Sequence, residues 1–236
     1  MGMKSPRAVL FSALVAGLVA CGTPSTKTVD FAKNPKILAD QPFVTGRPGD
    51  RAVFLAPVAD LRSNRMPTRE GAFPVVYAPD AAWDRPIAEM VGEVLSRELG
   101  ESGVFGGLLD RATPDAVVIQ PQLVSFCMGT IENLQGARTV AEFAVNLKVY
   151  GPAGADGERP LWFERLYGDR QVTEPQLVPD NMFFVAGSTI ARSVTKMMVS
   201  LDGTNVGRHG VPLHLGNSAT TGTPGNGIAE ASAPGR

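Results

Sequence analysis

Residues 139–150, TVAEFAVNLKVY, alternate with period two. Ala141, Phe143, Val145, Leu147 and Val149 point one way, and Glu142, Asn146 and Lys148 the other. Successive side chains of a strand leave on opposite faces, so this pattern predicts a strand with one buried and one wet face. An antiparallel sheet covered on one side satisfies it, which narrows the fold more than any other stretch does. Residues 161–172, LWFERLYGDRQV, supply the next strand across the turn-rich GPAGADGERP at 151–160, making a hairpin of 139–172.

Two helical stripes provide the cover. Over 85–102, Ile87, Met90, Val91, Val94, Leu95 and Leu99 recur at i, i+3, i+4 and i+7, while Glu89, Glu93, Arg97 and Glu101 face away. Asp84 is placed to cap this helix, Pro86 suits its first turn and Gly103 its stop. A second stripe runs through Ile190, Ala191, Val194, Met197, Met198 and Leu201, with Asp180 as cap and Gly203 as end. AVFLAPV at 52–58 and AVVIQPQLVSF at 116–126 complete the strands; Pro121 in the latter predicts an edge or a bulge. The order β-α-β-β-β-α predicts an α+β fold: a two-layer sandwich, a mixed sheet with two helices on one face.

The domain proper is assigned to 51–203, about 150 residues. Residues 22–50 show no sustained period and read as a tether of roughly 30 Å mean reach. Residues 204–236, rich in Gly, Ser, Thr, Asn and Pro, read as a disordered tail. The stretch 63–80 reads as a long loop carrying Pro67, Pro74 and Pro79. No internal repeat of domain-building length occurs.

The beginning of the chain sets the address. Lys4 and Arg7 precede an apolar run at 8–20, AVLFSALVAGLVA. As a helix it covers about 20 Å, short of the ~30 Å hydrocarbon core, so a secretory signal fits better than a membrane span. Its last residues and the next, Leu18-Val19-Ala20-Cys21, resemble the bacterial lipobox. That resemblance implies a signal peptide at 1–20, cleavage after Ala20, and acyl chains on Cys21 that anchor the protein to a membrane. Gly22, in place of Asp, implies by the same analogy the outer membrane of a Gram-negative cell, with the domain facing the periplasm.

Composition excludes several functions. Removal of Lys4 and Arg7 with a leader takes the net charge from −1 to −3, so no basic excess remains for nucleic acid. His209 and His214 both lie in the tail, which leaves the body without a histidine for a triad or a metal site. Cys127, in an apolar strand, reads as a buried thiol with no partner once Cys21 is acylated. Asp80 and Asp84, flanking Trp83, read as helix-start carboxylates rather than a catalytic pair, and GVFGG at 103–107 reads as a turn. No catalytic, metal or cofactor residue is expected. The marked surface feature is the Arg62, Arg65, Arg69 cluster, a candidate contact for an acidic partner or lipid headgroups.

The succession of lipobox, tether, strand ending in APVADLR, helix ending in LSRELGESGVF, strands and closing helix resembles YajG-type lipoproteins and the auxiliary lipoproteins of ABC-type transporters, which carry a TolB-N-like α/β domain. The resemblance covers about residues 50–202. It implies a non-enzymatic accessory or structural subunit of an envelope assembly, with a protein partner or self-association into a homo-oligomer. It carries over no catalytic residue. The alternative from the same pattern is a lipoprotein holding a lipid or glycan between sheet and helices.

Overall fold

The computed structural model describes residues 28–34, 37–38, 42–63, 69–70, 73–133, 136–175 and 181–208. The strands are β1 (Ala52–Leu55), β2 (Ala59–Asp60), β3 (Arg69–Glu70), β4 (Phe73–Tyr77), β5 (Gly107–Leu109), β6 (Val117–Asn133), β7 (Gly136–Tyr150) and β8 (Leu161–Val172). The helices are α1 (Ile87–Glu101) and α2 (Met182–Gly203). The fold is α+β, a mixed sheet with two helices, as expected. The five strand and helix regions after the first helix and before it keep their order, and the short strands β2 to β5 are additions to it.

The long strand β6 organises the sheet. Along one flank it pairs antiparallel with β7, which pairs antiparallel with β8. Along the other flank three short strands follow one another: β1 parallel at Val117–Ile119, β2 parallel at Gln122–Leu123, and β4 antiparallel at Gly129–Ile131. Strand β5 lies beyond β1, and β3 beyond β4. The parallel β1–α1–β6 crossover and the β6–β7–β8 meander therefore share one strand.

Strand β6 runs to Asn133, past the expected end near residue 126, because a bulge hides its second half. The register against β7 shifts between Leu123 and Ser125, leaving Val124 as the extra residue. Leu123 is buried on the helix side, Val124 is exposed, and Phe126 and Met128 return to the core. The period breaks once and resumes. Pro121 is neither at the edge nor in the bulge. The carbonyls of Ile119 and Leu123 accept from Ala56 and Leu61 on the β1–β2 flank. Alternation turns the amide position of Pro121 the same way, into the gap where β1 has ended and β2 has not begun. Its missing N–H thus leaves the β7 ladder intact.

Both helical stripes are buried as the periodicity predicts, Ala191 alone remaining half-buried. Their caps differ from expectation. Helix α1 starts after Pro86 without a side-chain cap, while Asp84 accepts instead from the Thr28 hydroxyl at 3.0 Å. Helix α2 is capped by Asn181, whose side chain accepts from the Phe183 amide at 3.0 Å; Asp180 lies outside the described residues. Gly103, at φ 68°, supplies the left-handed turn that ends α1.

The tether and tail assignments need redrawing. Residues 28–34 pack on the body: Val29 bridges Trp83, and Phe31 is fully buried. Ile37 is buried as well, and Thr45 and Gly49 donate backbone hydrogen bonds to Ser102 and Gly103. At the other end Val206 is fully buried, and the Gly207 carbonyl accepts from Asp50 and Arg51. Single anchoring residues without a period hold these segments, which is why no pattern announces them. The loop assigned to 63–80 likewise contains β3 and β4.

Candidate functional site

Of the expected arginine cluster, the Arg62 side chain is described, and it is not a free cation. Arg62 lies at the end of β2 and is enclosed by two carboxylates. Its guanidinium donates to both Asp60 oxygens, Nη2 at 2.8 Å, and to both Asp80 oxygens, at 3.1 and 2.9 Å. The Asp60 hydrogen bond raises the Arg62 pKa, and the same bond holds Asp60 below the usual carboxylate range. Arg62 is thus neutralised by a neighbour two residues away and by one eighteen away. Arg69 lies in β3; its side chain, Arg65 and Cys21 lie outside the described residues.

A second clamp ties the N-terminal segment to α1. Arg85 bridges Asp30, at 2.9 Å, and Glu93, at 2.5 Å. Burial pushes Asp30 up, but the Arg85 and Lys33 interactions outweigh it and leave the carboxyl below its ordinary value. The Arg85 hydrogen bond lowers Glu93 in the same way. Beneath this clamp lies an aromatic cluster. The Phe31 ring meets Trp83 edge-on at 5.3 Å between centroids, and Trp83 meets Phe126 at 5.5 Å and Phe183 at 4.9 Å. Edge-to-face pairs at these separations add to the burial of each ring. The signal for this cluster was available in DFAKN and AAWDR, but no period links them.

A groove of about 430 Å³ lies between α1 and the β1–β5 edge of the sheet. Ala88, Gly92 and Ser96 form its helical wall, Phe54, Val58 and Leu108 its apolar floor, and Glu89, Glu93 and Asp110 its rim. Residues at i, i+4 and i+8 share one face of α1, and their small side chains leave the space beside the strands unfilled there. Their spacing is the sequence signal for the groove. The space between the two helices, by contrast, holds about 20 Å³ near Leu38, Val94 and Ala191, enough for water only.

The sheet face away from the helices carries polar rungs. Asn146 donates to Gln122 at 3.1 Å and to Glu164 at 2.6 Å, and Lys148 approaches Glu164 at 3.7 Å. Ser125 donates to Glu142 at 2.5 Å, and Arg170 lies 3.6 Å from the same carboxylate. Leu166 is exposed among them. Cys127 sits opposite Glu142 in the β6–β7 ladder. Burial, then the Glu142 charge, pushes its thiol up to about 11, which suppresses the thiolate a nucleophile needs. Among the described residues no group of three His, Cys, Asp or Glu side chains could hold a metal ion, and no helix is long and apolar enough to cross a membrane.

No protein-family model and no curated protein sequence matches the chain. The solved structures similar to it include the following two. One is protein XCC0632 from Xanthomonas campestris, of the family DUF330, at 12% identity and TM-score 0.38, covering 70% of this chain and 92% of that one. The other is a minor lipoprotein from Acinetobacter baumannii, at 9% identity and TM-score 0.37, covering 65% of this chain and 91% of that one.

Proposed function

We propose that the chain is a bacterial envelope lipoprotein, held in the outer membrane by acyl chains on Cys21, that serves as a non-enzymatic accessory or structural subunit of a transport or secretion assembly in the periplasm. The observation that carries the reading is Leu18-Val19-Ala20-Cys21 behind a basic, apolar leader. A small extended segment ending in Cys is what a lipoprotein-processing peptidase needs, and two or three acyl chains hold far more firmly than one. The domain then offers polar sheet rungs and a sheet edge to a partner rather than a constellation of reactive side chains.

The test is crosslinking of the full-length protein in cells, gentle detergent extraction and mass spectrometry of what co-elutes, beside a Cys21→Ala control. Specific transporter or secretion subunits that accompany the wild type and vanish with Cys21→Ala support the accessory role. Recovery of the protein alone counts against it. A ligand-binding lipoprotein is the second reading, and the groove beside α1 is what favours it, since its volume lies in the range of small-molecule sites. Lipid or glycan that co-purifies with wild type but not with Gly92→Leu would support that alternative.

A further inference from the structure

The path of the chain out of the domain fixes which end of the molecule a membrane anchor can reach. Thr28 is held by its hydroxyl to Asp84, and Val29 pairs with Trp83. The Trp83 ring in turn packs on Phe183, in the first turn of α2. The chain therefore enters at the level of the α2 N-terminus. Cys21 lies seven positions before Thr28, a link of at most ~25 Å even when fully extended. Helix α2 has 22 residues and runs ~33 Å to the opposite end of the domain, where β8 begins at Leu161. With that opposite end on the bilayer, Thr28 would stand about 33 Å above it, beyond the link's reach.

The end that remains carries unpartnered apolar side chains. Phe184 is 47% exposed beside the buried Trp83 and the half-buried Phe183, and Val76 on β4 is 67% exposed at the same end of the sheet. A Phe in the first turn of a helix has its ring free to enter an interface, where the apolar area, not charge, supplies the attraction. Two nearby arginines are already committed: Arg62 to Asp60 and Asp80, Arg85 to Asp30 and Glu93.

We propose that the Phe184 end of the domain rests on the bilayer, with the Phe184 ring inserted at the lipid headgroup level and the Leu161 end directed away from it. This inference rests on the reading of Cys21 as the acylated residue.

The experiment uses the lipidated full chain in vesicles of phosphatidylethanolamine and phosphatidylglycerol, with and without lipids brominated along their acyl chains. Phe184→Trp and Leu161→Trp each place an indole at an exposed site, and the wild-type emission of Trp83 and Trp162 is subtracted. The expected result is that brominated lipid quenches most of the emission added by Phe184→Trp and none of that added by Leu161→Trp, unchanged when salt is raised. Vesicle-bound protein with neither indole quenched overturns the orientation, leaves the Cys21 anchor intact, and hands Phe184 to a protein partner. Quenching of Leu161→Trp instead also overturns it. Chain that carries no acyl group on Cys21 and stays behind when vesicles are floated removes the anchor reading, and the orientation falls with it.

Discussion

Ile37 is seated directly on Gly187: a Cβ added to that glycine would lie 2.1 Å from the Ile37 carbonyl oxygen. The N-terminal segment thus touches the backbone of α2, nearly at the other end of the sequence. Elsewhere in a helix, Gly→Ala gains about 1 kcal/mol. Here Gly187→Ala is expected to lose about 1–3 kcal/mol through overpacking. Urea denaturation measures the loss, and limited proteolysis should show earlier cleavage within residues 28–50. A gain in stability would mean that Ile37 does not sit there.

Phe31 is fully buried against Trp83 and Phe126, so the supposed tether belongs to the core. Phe31→Ala is expected to cost about 3–5 kcal/mol, as for other large aromatic truncations in cores. A chain shortened to begin at residue 51 should unfold at lower urea still, because it also loses Ile37 and the Arg85 partner Asp30. Retention of wild-type stability by that shortened chain would restore the tether.

Acid should act through the Arg85 clamp. Asp30 and Glu93 have folded values below their ordinary 3.8 and 4.5, so their contribution is complete above those values. It is lost as pH falls through the depressed folded values, while Arg85 stays charged. Stability followed by urea midpoint should therefore hold steady down to about pH 4.5 and fall below it. Arg85→Gln should flatten that acid limb, and an unchanged slope would assign it to other carboxylates.

Alkali should act through Cys127. Its thiol rises from 9.0 to about 11 on folding, so the unfolded chain ionises first. Stability is then expected to decline from about pH 9 to pH 11, with Tyr167 acting in the same direction because burial raises it too. Cys127→Ala should remove part of the decline. At pH 8 the native thiol should react with iodoacetamide far more slowly than in urea, and equal rates would place it at the surface.

The C-terminal boundary is testable by shortening. Arg208 donates to Asp202 and, at 2.5 Å, to the Arg47 carbonyl, while Val206 is fully buried. A chain ending at residue 208 should match the full chain in thermal midpoint. One ending at residue 203 should melt several degrees lower, since about 1 kcal/mol moves a midpoint by roughly 2–8 °C depending on domain size. Equal midpoints would return residues 204–208 to the tail.

Much of this fold can be read from periodicity. The α1 stripe and the β7 alternation each depend on six or so residues repeating one spacing, and the burial of Met90, Leu95, Phe143 and Leu147 follows directly. What periodicity misses is held by single residues. Phe31 and Ile37 anchor a segment with no repeat, and Val124 interrupts the pattern of β6 with one extra residue. Arg62 shows a different limit. Its closeness to Arg65 and Arg69 is visible in the sequence, but half of what neutralises it, Asp80, arrives through the course of β3 and β4. The groove beside α1 was visible only as Ala88, Gly92 and Ser96, small residues whose meaning depends on what faces them.

One strand, β6, is the common pairing surface for β1, β2, β4 and β7. A chain that emerges amino end first, from a translocation pore or a ribosome, exposes β1, β2, β4 and α1 well before it offers their shared template. These segments must wait, open to proteases and chaperones, until residue 133 has passed. The β6–β7–β8 meander and α2 then follow in quick succession and have mostly local pairings, which form fastest. Assembly of the domain is thus timed by the appearance of its middle rather than of its beginning.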